Sequence, residues 1–169
     1  AKYSGISHWT VPLDFPYGLA VRRRSLRLVL TPAIDFFPER AVKTPDEVER
    51  VREGVQLAEA GLFRALAILH EATIRDEYVV WQGEILAAET LRGEVDAEIA
   101  RRGGTASHTI TAPGPQSADC HMAGTGPIRA HQPIVLDIFP RVDRTGYHGD
   151  LTRTVVKGKA EPVVRRAYE

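Results

Sequence analysis

The sequence PIVLDIF, residues 133–139, places a single carboxylate, Asp137, in the middle of an apolar run. The sequence YHGDLTRTVV, residues 147–156, follows after DRTG at residues 143–146, a composition typical of a hairpin turn. The two runs are therefore predicted to form antiparallel strands. An ionised aspartate inside a buried strand is costly unless a partner neutralises or hydrogen-bonds it, so Asp137 is expected to have one.

A hairpin folded symmetrically about the Asp143–Arg144 pair would put Asp137 directly opposite Asp150. Residues that face each other across two strands lie about 5 Å apart, so the two carboxylates need a cation between them or a shared proton. The same strand face carries His148 and Thr152. Carboxylates beside a histidine suit manganese, magnesium or zinc. The alternative is that Asp150 is only a strand-end residue bonded to Thr152 or Arg153.

Upstream, the sequence TPDE at residues 44–47 forms a capping box with proline at the first helical position, and predicts a helix that runs to about Ala72. A second helix is predicted over residues 90–102, with Thr90 as its cap and Gly103 and Gly104 as its end. The first helix should bury a stripe of apolar residues at three- and four-residue spacing: Val48, Val51, Val55, Ala58, Leu62, Leu66 and Leu69.

The remaining stretches read as strand and loop. Residues 105–112 alternate like a strand, and residues 119–126 form a loop that carries Cys120 and His121. Residues 1–43 combine short apolar runs with prolines and a basic cluster at residues 22–24, which is expected to be solvated surface.

Composition excludes several classes of protein. The 169 residues include 22 basic and 22 acidic side chains, so no overall charge attracts nucleic acid or an anionic membrane. No apolar run approaches the roughly 20 residues of a spanning helix. The single cysteine, Cys120, excludes an internal disulfide and favours a cytoplasmic location. Because the chain starts with Ala1 and stops where a helix begins, it is expected to be part of a longer protein.

The hairpin resembles the paired-aspartate hairpin of the creatinase/aminopeptidase metallopeptidases, which have the pita-bread fold and include methionine aminopeptidase, Xaa-Pro aminopeptidase and prolidase. The specific part is GYHGDLTRT at residues 146–154. VKTPDEV at residues 42–48 resembles the entry to the first pita-bread helix of the Xaa-Pro branch, and APGPQSADCH at residues 112–121 resembles the loop that ends in the family's active-site histidine. The resemblance covers roughly residues 40–169.

The resemblance implies an α+β fold. Residues 43–169 would be the amino-terminal half of a pita-bread domain, with long amphipathic helices packed on an antiparallel sheet, and residues 1–42 the end of a preceding domain and its linker. The aspartates stand thirteen residues apart, where the family more often has eleven. The excess of two keeps both carboxylates on one face.

The resemblance also implies a function: hydrolysis of the N-terminal or Xaa-Pro bond of short peptides by a hydroxide shared between two metal ions. Asp137 and Asp150 inherit the metal-ligand role, His121 a catalytic and substrate-binding role, and His148 contact with the substrate. The ions would be manganese, or else cobalt or zinc, and the full-length protein a homodimer. The family's other ligands, a histidine and two glutamates, would follow residue 169, so this stretch alone is expected to be inactive.

Three alternatives remain open at this point. The chain could belong to a pita-bread binding module that has lost catalysis, or to a metal-free hydrolase similar to creatinase. Independently of the family, Asp137 and Asp150 could be an acid/base pair that shares a proton.

Overall fold

The computed structural model of the chain describes residues 8–16, 18–19, 29–33 and 37–169. The chain divides into two compact units, Ala1–Thr44 and Pro45–Glu169. In the first unit, strand β1 (His8–Pro12) pairs in parallel with β2 (Val29–Ala33), and a 3₁₀ turn follows at Pro38–Ala41. The basic cluster at residues 22–24 lies outside the described residues. The assignment of residues 1–42 to the end of a preceding domain stays a prediction.

The second unit begins with a long helix, α1 (Pro45–Glu71), whose predicted start and end are both confirmed. Its predicted apolar stripe is only partly right, because Val48 and Leu66 are exposed while Leu57 and Ile68 are buried. The difference has a physical cause. The buried face of α1 also contains Gly54, Gly61 and Ala65. Such small residues let neighbouring elements approach closely, so the side of the helix that carries them is the side that is buried.

A small antiparallel meander follows α1, in a part of the chain where the sequence predicts no clear structure. It consists of β3 (Thr73–Arg75), β4 (Tyr78–Trp81) and β5 (Glu84–Ile85), in the order β3-β4-β5.

The second helix, α2 (Ala88–Arg101), starts two residues before the predicted cap. Thr90 therefore lies inside the helix, and the N-cap position is held by Ala87 in extended backbone. The predicted glycine stop is confirmed, since Gly103 follows the helix with a φ of 80°. Leu91, Val95 and Ile99 are fully buried in the same hydrophobic core as α1, and this buried set was predicted.

The main sheet contains β7 (Ile110–Pro113), β8 (Pro133–Ile138) and β10 (Leu151–Val156), all antiparallel, in the order β10-β8-β7. Three residues of β8 are fully buried in the core shared with the helices: Ile134, Leu136 and Ile138. The alternating residues Val135 and Asp137 lie on the other face and are partly buried. Two short strands, β6 (Gly104–Thr105) and β9 (Arg141–Val142), form a separate pair, and a short helix, α3 (Pro162–Tyr168), ends the chain.

The register of the β8–β10 hairpin differs from the predicted one by two residues. Asp137 lies opposite Thr152, not opposite Asp150. The turn does occupy residues 143–146 as predicted: Gly146 has a φ of 74° and donates its N–H to the Val142 carbonyl at 2.7 Å. The midpoint of this four-residue turn is between Arg144 and Thr145, one position later than the predicted centre, and this displaces the pairing by two.

None of the helices in the described ranges is both long enough and apolar enough to cross a membrane.

Candidate metal centre

Asp137 lies on the central strand of the main sheet, between Ile110 on β7 and Thr152 on β10. Asp137 is partly buried, so the prediction of a buried strand is only partly right: one face of β8 is fully buried, and the face that carries Asp137 is partly buried. The expected partner is present. The Thr152 hydroxyl donates to Asp137 Oδ1 at 2.5 Å, which leaves the second carboxylate oxygen available to another group.

Asp150 is exposed and directly precedes β10. The pairing continues beyond the strand in the same register. Arg141 and His148 form an antiparallel β-bridge, and the Gly149 N–H donates to the Pro140 carbonyl at 3.0 Å. Asp150 is therefore the diagonal neighbour of Asp137, two positions before Thr152. A register shift of two preserves the face, so both aspartates belong to the face turned away from the helices. Diagonal neighbours lie about 7–8 Å apart, a separation that leaves room for a cation between the carboxylates.

His148 is exposed and lies outside β10, where it forms the bridge with Arg141. Its substrate contact stays a prediction.

His121 lies in the loop of residues 119–126, which follows a 3₁₀ turn at Gly114–Ala118. It is exposed, its backbone N–H donates to Asp119 Oδ1 at 2.9 Å, and its Nδ1 lies 3.9 Å from the Cys120 sulfur. In the described part of the chain, Asp119, Cys120 and His121 are the one group of three potential ligands within 4.8 Å of one another. Asp137, Asp150 and His148 form no such cluster, and the role of His121 stays a prediction.

The far end of the His121 loop is anchored to the body of the fold. Arg92 Nη1, on α2, donates to the carbonyls of Ala123 at 2.8 Å and Gly124 at 2.9 Å. The Gln116 side chain both donates to the Thr125 carbonyl and accepts its N–H, each at 2.9 Å. The Arg92 anchor was not predicted, because no local sequence signal links a helix residue to a loop about thirty positions later. The Gln116 anchor was not predicted either.

A third anchor is acid-sensitive. The Glu89 carboxylate accepts the Gly126 N–H at 2.9 Å, and hydrogen bonds from the backbone N–H groups of Glu89 itself and Gly126 lower the pKa of Glu89 below its ordinary value of 4.5. A lowered pKa means that the ionised carboxylate stabilises the folded loop above the ordinary pKa. This contribution is lost as the pH falls through the lowered pKa.

We therefore expect the Gly126 amide to lose protection against hydrogen exchange below about pH 4.5 relative to its value at neutral pH. In Glu89→Gln, protection of this amide should be lower at neutral pH and should change little with acid. Glu84→Gln, at an exposed glutamate of β5, is the control and should behave as wild type. If the Gly126 amide loses as much protection with acid in Glu89→Gln as in wild type, Glu89 is not the group that makes the loop sensitive to pH.

The donor set fits a hard divalent cation. Two carboxylates on one face, with the Thr152 hydroxyl beside them, supply the oxygen atoms that manganese or magnesium prefers, and carboxylates also bind zinc. Such an ion takes about six donors, so these residues account for part of a coordination shell.

Residues 49–169 match the sequence model of Metallopeptidase family M24, and the chain therefore belongs to this family. No curated protein compared with the chain matches it.

Solved structures with the same fold cover nearly all of this chain. The prolidase from Pyrococcus horikoshii has a TM-score of 0.79 and 19% identity, with 97% of this chain and 45% of that chain covered. Dipeptidase PepE from Mycobacterium ulcerans has a TM-score of 0.74 and 22% identity, with 98% of this chain and 42% of that chain covered. Proline aminopeptidase P II from Yersinia pestis has a TM-score of 0.73 and 19% identity, with 97% of this chain and 38% of that chain covered.

These similarities confirm the predicted α+β, partial pita-bread fold. The chain spans less than half the length of these structures.

Proposed function

We propose that the intact protein is a metal-dependent peptidase that cleaves the Xaa-Pro bond of short peptides. The observation that carries this proposal is the diagonal placement of Asp137 and Asp150 on one face of the β8–β10 pair, in a chain of Metallopeptidase family M24. The names of the similar structures, a prolidase, a dipeptidase and a proline aminopeptidase, support the choice of substrate.

In this proposal Asp137 and Asp150 hold two divalent ions, manganese before cobalt or zinc. Bound ions of this kind lower the pKa of water and polarise a peptide carbonyl. The Thr152 hydroxyl fixes one oxygen of Asp137, so the carboxylate is oriented before any ion binds. His121 binds the substrate and holds or donates a proton, because an exposed imidazole on an anchored loop can form a directed hydrogen bond. His148 contacts the substrate, and the intact protein is a homodimer.

The alternatives make different demands on the same residues. A shared proton requires the two carboxylates to lie within hydrogen-bonding distance. The observed register makes them diagonal rather than opposite, which favours a cation between them. A metal-free hydrolase would not need the pair at all.

The test is hydrolysis of Ala-Pro by the intact protein after chelation and again after addition of Mn²⁺, with Pro-Ala as the matched control peptide. We expect no cleavage after chelation, cleavage of Ala-Pro when Mn²⁺ is restored, and no cleavage of Pro-Ala. Cleavage that survives chelation would contradict the proposal and favour a metal-free hydrolase. Binding of Mn²⁺ and Ala-Pro without cleavage would contradict it in favour of an inactive binding module.

A further inference from the structure

Helix α1 and the β8–β10 hairpin touch through two glycines, Gly54 and Gly149. A Cβ atom placed on Gly54 would lie 2.6 Å from the His148 carbonyl carbon and closer still to the Gly149 nitrogen. A Cβ atom placed on Gly149 would overlap the Gly54 carbonyl and the Val55 nitrogen. The two backbones are therefore in direct contact, and neither position has room for a side chain.

The same contact is extended by side chains along one face of α1. The Tyr147 hydroxyl donates to Glu47 Oε1 at 3.0 Å, and the Arg50 guanidinium lies 5.7 Å from the centre of the Tyr147 ring. Arg144 donates to both oxygens of Glu53, at 2.8 and 2.9 Å. Glu47, Arg50 and Glu53 follow at intervals of three residues and so share one face of the helix. The first turns of α1 therefore contact the hairpin at Arg144 and Tyr147.

Asp150 depends on this contact more than Asp137 does. Asp137 lies in the middle of a three-stranded sheet with a ladder on each side. Asp150 lies just outside β10, between Leu151, the first residue of that strand, and Gly149, which contacts α1. A displacement of Gly149 is therefore passed directly to Asp150. Metal–ligand distances tolerate only about 0.2 Å, so a small displacement is enough to weaken binding.

We propose that Gly54 and Gly149 are positioning residues that set the place of Asp150 relative to Asp137, and that α1 thereby controls the affinity of the site for divalent cations. This inference rests on the proposed function, because it takes the two aspartates as metal ligands. It adds a role for α1, which contributes no ligand itself.

The test compares Gly54→Ala with Gly93→Ala in the intact protein. Both variants add one methyl group to a helical glycine, but the added Cβ at Gly93 has no atom within 4 Å. We expect Gly54→Ala to bind Mn²⁺ at least about 10-fold more weakly than wild type, as for loss of a group that orients a ligand. Gly93→Ala should bind it as wild type does. The visible absorption spectrum with Co²⁺ should change only in Gly54→Ala, because it reports ligand geometry rather than packing.

Unchanged Mn²⁺ affinity and Co²⁺ spectrum in a folded Gly54→Ala would overturn the inference. If Gly54→Ala does not fold, the double variant Y147F/R144Q decides, since it removes the part-buried Tyr147–Glu47 contact and the exposed Arg144–Glu53 contact without adding atoms. Weaker Mn²⁺ binding then supports the inference and wild-type binding overturns it. Asp150→Asn in the same Mn²⁺ titration distinguishes a failure of this inference from a failure of the proposed function. If it binds Mn²⁺ as wild type does, the proposed function itself fails and the inference with it.

Discussion

Asp150→Asn in the intact protein is expected to abolish divalent-metal binding. Asparagine preserves the size of the side chain but removes the negative charge and one oxygen acceptor, and a hard cation depends on both. After dialysis against Mn²⁺ and removal of free ion, elemental analysis should give a metal content no higher than that of the buffer control. Asp137→Asn should give the same result.

The matched control is Asp143→Asn, at an exposed carboxylate in the turn of the same hairpin. Asp143 accepts the Thr105 hydroxyl at 2.6 Å and lies 3.6 Å from Arg141, so it has structural contacts but no place in the proposed site. This variant should retain the metal content of wild type. Wild-type metal content in Asp150→Asn would mean that Asp150 is not a ligand.

His121→Ala should lower turnover of Ala-Pro about 100-fold while metal content stays at the wild-type value, which is the size of effect expected when a positioned proton donor is lost. The physical reason is the proposed role of His121 as a substrate contact outside the metal shell. Steady-state kinetics together with elemental analysis separate the two properties.

His70→Ala is the control for His121, since His70 is an exposed histidine near the end of α1 and should be replaceable without loss of turnover. Loss of metal in His121→Ala would instead make His121 a ligand. That outcome would agree with the cluster of Asp119, Cys120 and His121, whose ligand atoms lie within 4.8 Å of one another.

Local signals predicted the two long helices and the two strands of the Asp137 hairpin, but not the β3–β5 meander. The strand predicted over residues 105–112 is a strand only at its two ends, in β6 and β7. The capping box at residues 44–47 and the long apolar periodicity define α1, because capping and amphipathicity are properties of nearby residues. The cap of α2 was wrong because Ala87, with no side chain that could cap, precedes the helix, and Thr90 lies within its first turn. The buried face of α1 was partly wrong because tertiary contact through Gly54 and Gly61 decides it.

In the candidate site, too, local sequence patterns predict some features, and the three-dimensional structure decides the others. Strand periodicity puts Asp137 and Asp150 on one face under either register, since a shift of two residues preserves the face. The pairing itself depends on the centre of the turn. Composition predicts a turn at residues 143–146 but does not show that the strands pair about a centre between Arg144 and Thr145. The role of Thr152 as the partner of Asp137 follows only from the true register.

Anomalous diffraction from crystals of the intact protein grown with Mn²⁺ will show directly where the ions bind. If Asp137 and Asp150 hold the ions, anomalous peaks will lie within coordination distance of both carboxylates, and no peak of comparable height will lie at Asp119, Cys120 and His121. Peaks confined to that loop, or a protein saturated with Mn²⁺ that shows no peak beside Asp137 and Asp150, would contradict this placement of the ions.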